Sequence, residues 1–464
     1  MNELKISSET KFSIYIIGAI SFMGILVETS LNVAMTTLSN YFDVTVGIVQ
    51  WVTTIYLLLV TIMMGAAAFL MHTFSVRKLF FAAIFTFLFG TFLCSIANIF
   101  IILLLGRMAQ AIATGISTPL MFQIIFDRIP RKKIGLYNGI ATMIVTLAPA
   151  LGPSYGGILN TILNWRYIFI FMFPVSFLIA MIGYFKIYKS KASNHRKKFD
   201  WLGMMWLSLT LISFVYAFSL AGTYDWLSFE FIVMLLISMI LVFILICHIR
   251  RTSNNIMDYR LLRNTLIRRH FINYFIISFI NIGIAFVIPM VSEISLHVSS
   301  MTAGFLILPG AVLGSLIAPI TGKILDKYGA YLPLIIGNAL ILFSLIGFTF
   351  FAYEISIVFI IIFYLILRVG IAFSFGNVMS SASELVEAQQ KGDINAILNV
   401  SQQYGGSLGT VLVAAIISSL QLSNSDTLET IRIGSMLDYI LLTILAAYAL
   451  LLVFSNQRTE KKQK

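Results

Sequence analysis

Runs of about twenty apolar residues recur along this chain with brief polar breaks between them. Each run is long enough to cross roughly 30 Å of hydrocarbon as an α-helix. They fall at about 12–35, 46–70, 79–97, 99–125, 136–160, 166–186, 200–220, 229–249, 270–290, 302–321, 331–351, 355–383, 398–421 and 434–455. Only Ala97-Asn98 separates the third run from the fourth. A single helix of their combined length would be far too long for one crossing, so the pattern predicts a hairpin there. The pattern therefore predicts an all-α polytopic membrane protein with fourteen spans. The breaks near 187–199 and 250–269 flank runs seven and eight and divide the chain as 6 + 2 + 6. The expected units are 1–190, 191–262 and 263–464.

Composition agrees with this reading and excludes a soluble fold: 59% of the 464 residues are hydrophobic and 11% are charged, against about 25% charged in a typical soluble domain. The net charge of +12 would suit a nucleic-acid binder if the charge were clustered on a soluble face. Its placement speaks against that. Of the 31 Lys and Arg, 27 lie in the N-terminus, in breaks after even-numbered runs or in the C-terminus. They include Arg128, Arg131, Lys132 and Lys133, the run Arg196-Lys197-Lys198, and Arg250-Arg251. Under the positive-inside rule both termini are cytoplasmic, as an even span count requires, and the protein belongs to the cell membrane without a nucleic-acid partner. Cys94 and Cys247 both lie within runs and form no disulfide framework or metal-ligand spacing. The first run exceeds a signal-peptide core and lacks a clear cleavage site, so it reads as a retained span.

The six-helix sets at the two ends share a weak repeat. Arg107 precedes Gly115 by eight residues in run four, and Arg368 precedes Gly376 by eight in run twelve. Run five carries Leu151-Gly152-Pro153-Ser154-Tyr155-Gly156-Gly157, and run thirteen carries Gly405-Gly406-Ser407-Leu408-Gly409. The break after run two has Ser75-Val76-Arg77-Lys78, and the one after run ten has Gly322 through Gly329. Three matches in one order point to a duplicated unit, as in many transporters.

A charge inside the hydrocarbon costs about 2.5–3.5 kcal/mol on insertion scales, so Glu28, Arg107 and Arg368 are candidates for function. Glu28 lies about eight residues before the outer end of run one, and Arg107 about eight after the outer end of run four. Both are roughly 12 Å below the outer surface, which predicts a coupled pair if the two helices are neighbours. Burial disfavours the charged form of the carboxylate while a nearby guanidinium favours it, the balance that a proton carrier needs. A fixed ion pair that only sets helix packing is the alternative. Asp438 and Glu293, near the ends of runs fourteen and nine, read as solvated end residues. Pro149, Gly152, Pro153, Gly156 and Gly157 give run five a bend and a smooth face for close helix approach. Asn32, Trp51, Tyr56, Gln110, Gln123, Asn377, Asn399 and Gln402 are candidates to line a central cavity, which 20 Met and 14% aromatic residues would make soft and apolar.

With these motifs in view, the chain resembles the fourteen-helix drug and proton antiporters of the major facilitator superfamily over essentially its full length. The resemblance rests on Glu28 through Ala34, Trp51 through Leu57, Gly106 through Ala111 and above all Ala148 through Gly157, which is similar to the motif that separates exporters from importers. Trp165 through Phe169, Phe199 through Gly203 and Asn399 through Gly409 add to it. It implies the major facilitator fold and proton-coupled export of small lipophilic or cationic compounds by alternating access, with Glu28 and Arg107 coupling the proton. It implies no enzyme activity, cofactor or metal, small-molecule substrates and protons as partners within the lipid, and function as a monomer. One departure stands out. The family's cytoplasmic gate has an Asp where His72 stands and a Gly where Ser75 stands, while Arg77 and Lys78 remain and Asp326-Lys327 keeps the pattern in the second half. A histidine there makes the gate a candidate for pH sensitivity. A specific exporter of an endogenous metabolite or lipid would carry the same motifs, and a non-transporting sensor would need soluble surface that these short breaks do not supply.

Overall fold

The computed structural model describes residues 6–44, 46–49, 51–188, 199–252, 255–298, 300–423 and 427–463. The basic run Arg196-Lys197-Lys198 lies outside them. Among the described residues there is no β-strand. All fourteen apolar runs are helices: α1 Ser8–Ala34, α2 Trp51–Thr73, α3 Val76–Ile96, α4 Phe100–Arg128, α5 Arg131–Ile162, α6 Tyr167–Lys186, α7 Trp201–Tyr224, α8 Phe229–Arg251, α9 Thr265–Ser295, α10 Thr302–Tyr328, α11 Tyr331–Phe350, α12 Ile357–Glu384, α13 Ala388–Leu422 and α14 Leu428–Glu460. Each is long enough to span, so helices satisfy the backbone polar groups that lipid cannot.

Local chemistry sets several helix starts. Ser7, Ser75, Asp200, Ser228 and Ser356 each accept a backbone N–H in the first turn of the helix that follows. Ala97 and Ile99 are extended and turn the chain between α3 and α4, giving the predicted hairpin. Where hydropathy placed a run near 398, α13 begins ten residues earlier. Its first turns bury Asp393 and Asn395 among neighbouring helices, a tertiary effect invisible to a hydropathy pattern.

The first six and last six helices meet along two seams. In one, α5 lies against α10 and α12. Gly135 faces the backbone of Gly322, Gly139 faces Ala318 and Pro319, Asn138 Nδ2 donates to Ser380 Oγ (2.6 Å), and Thr146 Oγ1 donates to Ser315 Oγ (2.9 Å). In the other, α13 lies against α2 and α4. Asn395 Nδ2 donates to the Pro119 carbonyl (2.7 Å) and Lys391 Nζ to the Phe126 carbonyl (2.7 Å). These bonds occupy the half of the helices nearest the chain termini. Toward the opposite face Asn32, Val33, Trp51, Pro149 and Pro153 are exposed. The protein is thus closed on the terminus side and open on the other.

Helices α7 and α8 lie outside the second seam. Met204 and Leu207 of α7 cover Gly65 of α2, while Gly222 faces Ala415 of α13 and Trp226 Nε1 donates to Ser419 Oγ (2.9 Å). One inserted helix therefore touches both six-helix sets. Helix α8 is apolar nearly all round, with Leu236, Met239 and Phe243 exposed, and presents its surface to lipid.

The seam glycines differ in how much they matter. A Cβ at Gly322 would collide with the Gly135 backbone, whereas one at Gly157 meets nothing within 4 Å. Gly322→Ala is expected to lower unfolding stability by about 1–3 kcal/mol and Gly157→Ala to change it by less than about 0.5 kcal/mol. Thermal unfolding in detergent measures both, and equal losses would contradict the seam.

Candidate coupling site and transport cavity

The site is assembled around Arg107, which is fully buried on α4. Its Nη1 donates to Gln110 Oε1 (2.9 Å), one turn along the same helix, and Gln110 Nε2 donates to Thr91 Oγ1 of α3 (3.0 Å). Its Nε reaches the Val52 carbonyl of α2 (3.5 Å), and the guanidinium lies 4.1 Å from the centre of the Tyr56 ring. Tyr56 in turn shares a hydrogen bond of 2.7 Å with Thr114. Gly24 of α1 makes room for that pair, because a Cβ there would collide with Thr114. A guanidinium stays protonated in proteins, so this buried cation is held by a ring face, an amide and a carbonyl, and its Nη2 has no hydrogen-bond partner.

Glu28 lies one turn beyond Gly24 and is half-buried. It makes no ion pair with Arg107, whose Nε and Nη1 are directed to the groups just named. It is nevertheless close enough to interact electrostatically with both Arg107 and the Tyr56 phenol. Immediately after it, Thr29 and Ser30 take the smooth face of α5. Cβ atoms at Gly152 and Gly156 would strike Thr29 and the Ser30 backbone respectively, and Ser30 Oγ donates to the Gly152 carbonyl (2.9 Å). The glycines of run five therefore press on the helix segment that carries the acid.

Residues 17–410 match the Major Facilitator Superfamily. The chain belongs to this superfamily. It is 28% identical over 408 residues to the lincomycin resistance protein LmrB of Listeria innocua, covering 88% of this chain and 86% of that one. To a multidrug resistance protein B homolog of Mycobacterium tuberculosis it is 26% identical over 410 residues, covering 87% and 75%. Among solved structures, the proton:xylose symporter XylE bound to 6-bromo-6-deoxy-D-glucose shares the fold with a TM-score of 0.66 at 13% identity, over 96% of each chain. The protein is a multi-pass membrane transporter and not an enzyme.

In this facilitator the expected cavity residues separate into groups. Asn32 and Trp51 are exposed at the open mouth, where Thr53 Oγ1 donates to Asn32 Oδ1 (3.4 Å). Gln402 is half-buried and accepts from the Tyr274 hydroxyl (3.0 Å). Tyr56 and Gln110 surround Arg107 instead of facing open space. Asn377 and Asn399 are buried and donate to carbonyls one turn back on their own helices. Gln123 donates to both oxygens of Asp127 at the terminus-side end of α4.

The terminus-side closure divides likewise. Asp326 accepts the backbone N–H of Gly135 (2.7 Å) and Leu136 (2.9 Å), capping the start of the α5 coil from the other six-helix set. At the matching place in the second seam, His72 Nε2 lies 3.7 Å from Asp393 Oδ2 in the first turns of α13. Asp393 also accepts the backbone N–H of Asp258 (3.1 Å), which ties in the segment after α8. The acid and its partner have exchanged sides of this contact, and hydropathy gave no sign of Asp393. Arg77 turns away, donating to the Tyr184 carbonyl of α6 (3.3 Å), while Lys78 and Lys327 are exposed.

One expectation changes. Asp438 is not a solvated end residue. Helix α14 starts at Leu428, so Asp438 sits ten residues inside it, fully buried, with both carboxylate oxygens lacking a hydrogen-bond partner. Arg368, named in the sequence only as a charge inside the hydrocarbon, donates to Asn281 Oδ1 on α9.

Tyr56 provides a direct test of the assembly. Tyr56→Phe keeps the ring over Arg107 and loses one hydrogen bond, an expected cost of about 1 kcal/mol, whereas Tyr56→Ala uncovers the cation and leaves a cavity, at about 3–5 kcal/mol. Equal destabilisation of the two variants in thermal unfolding would count against the cation–ring contact.

Proposed function

We propose that this transporter is a proton-coupled antiporter that exports small lipophilic compounds, cations among them, by alternating access. The observation that carries the reading is that a half-buried carboxylate, Glu28, lies on α1 one turn from Gly24, which packs on Thr114 and on the Tyr56 ring that covers the fully buried guanidinium of Arg107. With Glu28 ionised, the two charges attract, and their low-dielectric surroundings magnify the effect. Protonation removes that attraction. Because Thr29 and Ser30 are locked to Gly152 and Gly156, a change in the force on α1 is passed to α5, which forms the first seam. The proton thereby favours one arrangement of the seams over the other, the differential affinity that any coupled cycle requires.

The basic residues on the terminus side support a cytoplasmic placement of both termini, so the described state opens outward and admits a proton to Glu28 from outside. The six-helix sets rock as units about the cavity, and a single chain holds every group that this cycle uses. The names of the relatives, a lincomycin and a multidrug resistance protein, support export of compounds foreign to the cell.

Reconstituted protein in proteoliposomes with an imposed pH gradient is expected to move ethidium, a lipophilic cation, against its concentration gradient. Glu28→Gln is expected to abolish uphill movement while leaving downhill exchange. Uphill transport retained by Glu28→Gln would refute the coupling role of that acid.

A further inference from the structure

Arg368 is a second buried cation, 7% exposed; like Arg107 it is held by a neutral amide and has one nitrogen without an acceptor, but α9 brings it Asn281 where α1 brings Arg107 the nearby acid Glu28. The hydrogen-bond partner of Arg368 is the neutral amide of Asn281, and its Nε is buried with no acceptor. No carboxylate among the described residues pairs with it. A guanidinium cannot shed its proton, and a buried charge left uncompensated is strongly unfavourable. A negative group brought to this position would therefore be favoured.

The repeat says where that charge belongs. Helices α9 and α12 stand to the last six as α1 and α4 stand to the first six, and both arginines lie well inside their helices from the open face, seven residues into α4 and eleven into α12. The matching architecture is visible beside them. Gly90 and Gly106 appose backbones where α3 crosses α4, and Gly337 and Gly370 do so where α11 crosses α12. Facing the arginine, the first set has the acid Glu28 and the last set has an amide. Asn281 is half-buried, and its Oδ1 holds the guanidinium while its Nδ2 stays available as a second donor. About two turns deeper, the tilted rings of Tyr274 and Phe375, 4.7 Å apart, close the core beneath the pair.

We propose that Arg368 and Asn281 bind the acidic group of a transported amphiphile. This rests on the export function proposed above and adds to its substrate range compounds that carry a carboxylate or a comparable planar anion. The planar fork of the guanidinium matches two oxygens of such a group, and Asn281 supplies a further N–H. Binding brings in the negative charge that the protein omits at this position. A cationic or neutral compound gains nothing from Arg368 and depends on the apolar walls and Glu28 alone.

The full chain, purified in detergent, tests this with three ligands of one shape: 1-naphthaleneacetate, its methyl ester and (1-naphthylmethyl)trimethylammonium. Affinity is read from the rise of the unfolding midpoint with ligand concentration. The wild type is expected to bind the carboxylate about tenfold more tightly than the ester, the effect of one charge-assisted contact. Arg368→Gln is expected to erase that preference. Asn281→Asp is expected to erase it too, by giving the arginine a resident carboxylate; it keeps the site charge-balanced and so remains informative if Arg368→Gln fails to fold. A wild type with no preference for the carboxylate, or a preference that survives Asn281→Asp, overturns the proposal. No proton gradient enters these measurements, so they succeed or fail separately from the Glu28→Gln transport result.

Discussion

A guanidinium buried in a membrane cannot be neutralised by losing its proton, and much of this protein's inner architecture answers to that constraint. Around Arg107 four helices contribute: a ring and a carbonyl from α2, an amide from α4, a hydroxyl from α3 and, on α1, a glycine that lets the ring and its hydroxyl partner approach. The charge is spread over a π face and neutral dipoles, so it does not depend on a single carboxylate contact. That leaves Glu28 near the cation without being locked to it. A tight bidentate ion pair would have fixed the carboxylate in one state, whereas a longer-range attraction changes in strength when the acid takes up a proton.

The second constraint is close approach. Where the two six-helix sets meet, glycine and small side chains bring backbones together, and hydroxyl and amide groups bond across the gap, as helix association in lipid requires. Glycine brings backbones together in the seam of α5 with α10, while the seam of α13 with α2 and α4 is joined by side chains bonded to carbonyls, and their polar closures differ too. Asp326 caps a helix start in the first, and His72 faces Asp393 in the second. The inserted α7 leans on α2 and α13 together, so it bridges the second seam and is more than a spacer. Among the described residues the first seam has no such brace.

Comparison of the residue pattern with the structure separates two kinds of information. All fourteen spans were legible because hydropathy over twenty residues is a strong, local signal, and the hairpin at Ala97-Asn98 followed from length alone. The similar depth of Glu28 and Arg107 could be counted along two helices. That Tyr56 covers the guanidinium could not, because it depends on how α2 rotates about its own axis. The same limit explains Asp438, which counting placed near an interface and packing placed in the interior, and Asn377 and Asn399, whose polar side chains turned out to bond their own helices. Asp393 escaped notice because it lies where apolar character fades, and only the neighbouring α2 and the segment after α8 give it a role.

The sequence by itself determined the number of spans, the uneven distribution of basic charge, the family and the presence of an acid and two arginines within the membrane. These depend on composition and on spacing along one helix at a time. The tertiary structure decided which charges see one another, which glycines carry a crossing, which face is closed, and that Arg368 is left with an amide where Arg107 has an acid within reach. Each of these is a relation between helices far apart in the chain, fixed by the rotation and depth at which they pack, and a hydropathy pattern holds neither quantity.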